Sequence, residues 1–200
     1  QRELGLYTRP HTPLLSTISR LTEQKGIDLL IASLEQELAR SDLQYVVVGL
    51  GESHLEQRLR GLAEQYPGRV AVRLGFDEGL SHRTEAGADF FVMPSRFEPC
   101  GLNQLYSMRY GTLPIVRAVG GLYDTVVDFD ARSKSGTGFS FTALDAQTLS
   151  HAIRRALLAY HGDPGAFLAL QRRAMRADFS WTVSARAYLH VYRQALADAR

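Results

Sequence analysis

The sequence predicts an α/β fold in which one parallel sheet is covered by helices on both faces and is followed by a helical C-terminal segment. Three patterns support this prediction. Short apolar runs alternate with longer segments that carry apolar residues at helical spacing. The apolar runs are nearly continuous, which is typical of strands buried on both faces of a parallel sheet. Beyond about Asp145, only helical patterns remain.

The predicted strands and helices alternate from the first strand to the sixth. Strands are predicted at 14–18, 45–48, 70–74, 90–93, 113–116 and 138–141. Helices are predicted at 26–38, 53–65, 80–86, 102–110, 148–160, 164–177 and 182–197. The first helix shows its pattern through apolar residues at Ile27, Leu30, Ile31, Leu34 and Leu38. In open sheets of this class the ligand binds beyond the carboxyl ends of the strands, so we expect the site in the loops that follow them.

Composition and charge exclude several classes of protein. The chain has 23 basic and 21 acidic residues, a net charge of +2, so we expect neither a nucleic-acid nor a membrane partner. No apolar run approaches the roughly 20 residues that a membrane span needs. Cys100 is the only cysteine, which excludes an internal disulfide and favours a reducing compartment, the cytoplasm. The six histidines lack metal-ligand spacing, so neither a metal nor a cofactor is expected.

The first candidate segment, residues 19–26, follows the first strand and opens a helix. Arg20 and Lys25 flank this loop. The free N–H groups and the dipole of a helix N-terminus favour an anion there, and a guanidinium with an ammonium suits a diphosphate. The alternative interpretation is two ordinary solvated charges.

The second candidate segment, residues 94–104, follows the fourth strand. Glu98 lies between aromatic, proline and cysteine residues, which is not typical of a solvated face, and its carboxylate can accept hydrogen bonds from sugar hydroxyls. Gly101 would let a ligand approach the backbone, leaving the N–H groups of residues 100–102 as donors. Because no histidine lies near Cys100 in sequence, we expect a small buried side chain lining the pocket rather than a thiol nucleophile.

The third candidate segment contains Gly120 and Gly121 after the fifth strand. Paired glycines before a helix form a second phosphate cradle when they lie opposite the first, although such a pair is more often only a turn. Phe76 and Tyr106 are candidates for stacking on a base, and either could equally belong to the core.

These segments occur in a specific order and spacing. They are Ser19-Arg20-Leu21-Thr22 with Gln24-Lys25-Gly26, then Pro94-Ser95-Arg96-Phe97-Glu98-Pro99-Cys100-Gly101-Leu102 with Gln104-Leu105-Tyr106, then residues 110–116, and finally Gly120-Gly121-Leu122 with Asp124-Thr125-Val126. From about Pro13 to residues 179–181, nearly the whole chain, this pattern resembles the bacterial glycogen synthases and plant starch synthases.

The resemblance implies a GT-B enzyme of two Rossmann-like halves. This enzyme transfers glucose from ADP-glucose to the non-reducing end of an α-1,4-glucan with retention and without a metal. It implies that Arg20 and Lys25 grip the diphosphate, that Glu98 holds glucose hydroxyls, and that Phe76 stacks on adenine. The remaining donor-binding residues that it implies are Cys100, Gly101, Leu102, Asn103, Tyr106, Gly120, Gly121, Leu122 and Thr125.

Three positions bear on how far the resemblance holds. Asn103 stands where many relatives have threonine, which puts a hydroxyl contact to phosphate in doubt, although an amide N–H could replace it. Phe76 stands where some relatives have tyrosine, so stacking survives without a hydroxyl contact. Tyr106 stands where broader relatives carry a second glutamate, as it does in the synthases, and this argues against a UDP-sugar donor.

The resemblance also implies a natural chain about twice this length, whose N-terminal half supplies the acceptor site. We therefore expect a nucleotide-sugar-binding domain over residues 1–178 and a C-terminal helix over residues 179–200 that contacts the missing N-terminal domain. Two other functions stay open: a module that binds an adenine nucleotide without catalysis, and a UDP-sugar transferase domain.

Overall fold

Six parallel strands form one sheet in the order β3-β2-β1-β4-β5-β6 in a computed structural model, which describes residues 1–198. The strands are β1 Leu14–Ile18, β2 Gln44–Gly49, β3 Val70–Leu74, β4 Phe90–Met93, β5 Leu113–Arg117 and β6 Phe139–Phe141. The helices are α1 Ile27–Arg40, α2 Ser53–Gln65, α3 Glu78–Gly87, α4 Asn103–Tyr110, α5 Gly121–Thr125, α6 Ala146–Gly162, α7 Pro164–Arg176 and α8 Trp181–Asp198. A 3₁₀ turn, Glu23–Lys25, precedes α1.

The sequence prediction of the sheet is confirmed. Each predicted strand and helix is present, and the bounds differ by no more than about two residues, which is the usual uncertainty of helix ends. The prediction gave no range for the five-residue helix α5 or for the 3₁₀ turn. Both are too short to show a hydrophobic period.

The core lies on both faces of the central strands. All six residues of β2 are buried, as expected for a strand covered by helices on each side. On one face, the Phe90 ring meets the rings of Phe139 and Phe167 in edge-on contacts, with centroids 6.0 and 5.6 Å apart. On the same face α1 packs against α6, where the buried hydroxyls of Ser33 and Ser150 lie 2.8 Å apart.

The strand order reverses at β1. From β1 the chain moves outward through β2 to β3, then returns to the other side of β1 to form β4, β5 and β6. Leu15 of β1 is therefore in register with Tyr45 of β2 on one side and Phe90 of β4 on the other. The helices that follow β1 and β4 diverge at this point, which leaves a crevice at the carboxyl edge of the sheet.

The C-terminal helix α8 differs from the α-helices that precede it because none of its residues is buried. Its exposed apolar side chains include Trp181, Tyr188, Val191, Tyr192 and Leu196. Among residues 1–198, no helix is both long enough and apolar enough to cross a membrane.

Candidate functional site

A cavity of about 190 Å³ lies at the carboxyl ends of β1 and β4, where the strand order reverses. Six of the site residues predicted from the sequence line this cavity: Arg20, Lys25, Glu98, Gly101, Leu102 and Asn103. The structure therefore brings the first and second candidate segments together in one crevice.

A second cavity, of about 270 Å³, adjoins the first. The two share Ile18, Ser19, Arg20 and Asn103. Phe76 lies in the second cavity with 89% of its surface exposed, beside Leu50 and Gly75. An aromatic ring this exposed offers a free face to a planar ligand. The interpretation of Phe76 as a core residue is therefore wrong.

An ion pair spans the first cavity. The Lys25 ammonium lies 2.5 Å from Glu98 Oε2, and the Ser95 hydroxyl donates to the same oxygen at 3.4 Å. Only 20% of the Lys25 side chain and 9% of the Glu98 side chain are exposed, so water screens the pair weakly. The sequence predicts that Lys25 and Glu98 bind different parts of a ligand, and it does not predict their contact.

The Arg20 guanidinium adds net positive charge to this crevice. Among residues 1–198 it makes no side-chain hydrogen bond and no ion pair, whereas Lys25 and Glu98 neutralise each other. Helix α4 begins at Asn103 without a side-chain cap, so its first N–H groups add positive partial charge at the cavity wall. The arrangement suits an anion.

The loop after β1 is fixed against the loop after β4. A Cβ on Gly26 would lie 2.0 Å from the Pro94 carbonyl oxygen, so only glycine allows this approach. The Arg96 backbone N–H donates to the Gln24 carbonyl at 2.8 Å, and the Arg96 guanidinium binds both oxygens of Asp28 at 2.7 and 2.8 Å. Burial acts to raise the pKa of Asp28, but the hydrogen bonds and positive charge of Arg96, together with backbone N–H groups at the start of α1, outweigh it and hold that pKa below its usual value.

Asn103 ties the start of α4 to the end of β1. Its side-chain amide donates to the Ile18 carbonyl at 2.8 Å. One of its two side-chain N–H groups is therefore occupied within the protein, a contact that the sequence did not reveal.

Cys100 and Tyr106 line neither of the two adjoining cavities. Cys100 is exposed, so the prediction of a buried side chain that lines the pocket is wrong. The inner side of its loop is already filled by Gln104 and Gly121, which directs the thiol outward. Tyr106 lines a different cavity, of about 640 Å³, between α4 and the segment before α8.

The third candidate segment packs against the second from behind. A Cβ on Gly120 would lie 2.2 Å from the Glu98 carbonyl oxygen, and one on Gly121 would lie 2.0 Å from the Cys100 carbonyl oxygen. Leu122 is fully buried, and the Thr125 hydroxyl donates to the Gly121 carbonyl at 2.6 Å. These residues support the cavity wall and do not line either cavity.

One group of potential metal ligands lies outside both cavities. Ligand atoms of Glu23, Glu52 and His54 lie within 4.8 Å of one another on the surface. The Glu23 backbone N–H donates to Glu52 Oε1 at 3.3 Å, which accounts for part of this cluster. We assign it no metal role, because exposed acidic groups commonly occur together without an ion.

Comparison with known proteins identifies a family and several relatives. The profile of the family described as glycosyl transferases group 1 matches residues 8–163. A glycogen synthase of Anaeromyxobacter sp. (strain Fw109-5) is 58% identical over 98% of this chain and 41% of its own length. One of Halorhodospira halophila (strain DSM 244 / SL1) is 52% identical over 98% of this chain and 40% of its own length. The chain thus spans about 40% of the curated relatives it matches.

Solved structures also resemble the fold of this chain. The catalytic domain of starch synthase IV from Arabidopsis thaliana, bound to ADP and acarbose, superposes with a TM-score of 0.87 and 35% identity, covering 98% of this chain and 41% of that one. A sucrose-phosphate synthase from Thermosynechococcus elongatus superposes with a TM-score of 0.67 and 29% identity, covering 94% of this chain and 46% of that one.

Proposed function

Because the chain belongs to the group 1 glycosyl transferases, we propose that it is the C-terminal, donor-binding domain of a glycogen synthase. It binds ADP-glucose, and the complete enzyme transfers the glucose with retention to the non-reducing end of an α-1,4-glucan. The observation that carries this proposal is the crevice in which Arg20, Lys25, Glu98 and the start of α4 meet beside the exposed ring of Phe76.

The two adjoining cavities match the parts of a nucleotide sugar. Phe76 receives the adenine, Arg20 and Lys25 hold the diphosphate, and Glu98 lies where the hexose follows. The amide groups at residues 100–103 contribute further donors to the phosphate and the sugar. Gly120, Gly121, Leu122 and Thr125 serve the donor indirectly, through the wall that they support.

Transfer of glucose places negative charge on the departing ADP. In this proposal the guanidinium, the ammonium and the helix N–H groups stabilise that charge from fixed positions, which lowers the barrier without a covalent step. Glu98 positions the sugar hydroxyls and does not act as a nucleophile. No metal and no cofactor take part.

The acceptor glucan needs a second surface. We propose that it binds in the cleft between this domain and an N-terminal domain of the same enzyme, and that the exposed apolar face of α8 contacts that domain. The proposed location is the cytoplasm, which suits a chain with one exposed thiol and no disulfide.

Titration of the 200-residue chain with ADP tests the donor site. Arg20→Ala and Lys25→Ala should each weaken ADP binding by at least about tenfold, because each removes a charged partner of the diphosphate. In the full-length enzyme each change should lower kcat by about 10²–10³-fold. Arg58→Ala, which removes an exposed arginine of α2 that pairs with Glu35 of α1 outside both cavities, is the matched control and should change neither. Equal ADP affinity in wild type, R20A and K25A would refute the proposal.

The donor crevice is formed within this chain alone, which also fits one alternative, a module that binds ADP without transferring glucose on its own. The 200-residue chain should not extend a glucan primer when it is given ADP-glucose, and extension would contradict the assignment of the acceptor site to another domain. A UDP-sugar donor would be indicated if UDP displaced ADP at comparable concentration.

A further inference from the structure

Gln104 is fully buried, on the side of the cavity wall opposite the crevice. Its Nε2 has two hydrogens and lies within hydrogen-bond distance of three acceptors: the carbonyl oxygens of Cys100 and Gly101, at 3.1 and 3.0 Å, and the Thr125 hydroxyl, at 3.2 Å. At least one N–H is therefore shared between two of them. The two carbonyls accept only, so the nitrogen rather than the oxygen of the carboxamide must face them.

Thr125 extends this contact to the loop after β5. Its hydroxyl donates to the Gly121 carbonyl at 2.6 Å and is therefore free to accept from Gln104. Gly101 has φ +72°, and a Cβ there would lie 2.4 Å from Gln104 Oε1, so the loop closes directly onto the carboxamide. One buried side chain thus joins the loop after β4 to the loop after β5.

Because the peptide bond is planar, the hydrogen bonds that orient these carbonyls also orient the N–H groups on the opposite side of the loop. In a trans peptide the C=O and the following N–H point in opposite directions. When Gln104 holds the carbonyls of Cys100 and Gly101, the N–H groups of Gly101 and Leu102 point away from it. Both residues line the crevice, and among residues 1–198 neither N–H donates to a partner.

We propose that Gln104, acting with Thr125, is a positioning residue that aims the N–H groups of Gly101 and Leu102 at the phosphates of the nucleotide. This inference rests on the proposed function. Gln104 does not itself touch the ligand, and Thr125 helps to hold the same loop.

The experiment compares two probes of one crevice in the 200-residue chain. ADP uses the phosphate donors, whereas adenosine uses only the apolar cavity at Phe76. Gln104→Met, which keeps the side-chain length without the amide, should weaken ADP binding by about tenfold, the value of about one hydrogen bond, and leave adenosine binding unchanged. Thr125→Val should act in the same direction, and Thr125→Ser, which keeps the hydroxyl, should bind ADP like wild type.

Ser33→Ala is the matched control for loss of a buried hydrogen bond. It removes the Ser33–Ser150 contact between α1 and α6, so it should lower the Tm without changing the ratio of ADP to adenosine affinity. If Q104M does not fold, the T125V and T125S pair carries the test.

The outcomes separate this inference from the proposed function. Wild-type affinity for ADP in Q104M and T125V, with R20A still weakened, would overturn the role of Gln104 and leave the donor site standing. Equal weakening of ADP and adenosine would also overturn it, because that indicates general damage. If wild type binds no ADP, the proposed function fails and this inference falls with it.

Discussion

Glycine at position 121 is required by its neighbour rather than by its own conformation. A Cβ there would meet the backbone oxygen of Cys100 at 2.0 Å, and backbone cannot move aside as a flexible side chain can. We expect Gly121→Ala to lower the free energy of unfolding by about 2 kcal/mol or more and to weaken ADP binding by displacing the cavity wall. Urea unfolding and ADP titration measure the two effects.

Gly61→Ala is the opposite case. Gly61 lies within α2, and no atom lies within 4 Å of the place that its Cβ would take. Alanine there should raise the free energy of unfolding by about 0.5–1 kcal/mol, because it favours the helix. A Gly121→Ala protein as stable as Gly61→Ala would contradict the close contact of the two loops.

At the level of residues, the sequence predicted that Arg20, Lys25 and Glu98 share one crevice, but not that Lys25 and Glu98 contact each other. Arg20, Lys25 and Glu98 could be predicted as candidates because each lies in a loop that follows a recognisable strand. The exposure of Cys100 was not predictable, because it depends on the local backbone path and on a contact with Gln104 that no periodicity encodes.

At the level of elements, α3 carries a carboxylate that the fold buries away from water, where its charged form is unfavourable. Glu85 is 3% exposed, and among residues 1–198 its carboxylate has no hydrogen-bond or ion-pair partner. Burial raises its pKa from 4.5 to about 7. The folded state therefore favours the protonated form, and ionisation costs stability as the pH rises through about 7.

Glu85→Gln removes this dependence. The variant should be more stable than wild type at pH 8 by about 2–3 kcal/mol, and the difference should shrink as the pH falls toward 4.5, where the unfolded state also takes up the proton. Urea unfolding at pH 8 and pH 5 measures it, with the exposed Glu64→Gln as control. A wild type that loses stability relative to the variant on acidification would show that the sign is wrong.

The elements themselves were the easiest feature to predict. Continuous apolar runs and helical spacing report burial directly, so β2 and α1 were placed within two residues. The short elements around the site follow no such rule. The 3₁₀ turn and α5 are set by the contacts of Gly26 and Gly121 with neighbouring carbonyls, which are distant in sequence.

At the level of the whole molecule, α8 contributes little to the stability of the other elements because it buries no side chain. A chain that ends at Ser180 should unfold within about 2 °C of wild type. A chain that ends at Asp163 also loses α7, with the buried Phe167 and Leu170, and should unfold at a much lower temperature. A large loss of Tm in the first truncation would mean that α8 packs on the domain.

The sequence predicts the class of sheet but not the order of its strands. Alternation of strands and helices predicts a parallel sheet, but many orders satisfy the same pattern. The reversal at β1 depends on which strands pair, and pairing is settled by packing between distant residues such as Leu15 and Phe90. The crevice follows from that reversal.

The pairing of Lys25 with Glu98 affects the order in which a ligand can be accommodated. Under the proposed function, a diphosphate competes for the ammonium and so releases the carboxylate toward the hexose. Free glucose carries no charge with which to compete and meets a carboxylate that is already engaged. Under the proposed function, the ion pair therefore opens only when a nucleotide diphosphate displaces the carboxylate from Lys25. A sugar that carries no nucleotide is then excluded from the hexose subsite.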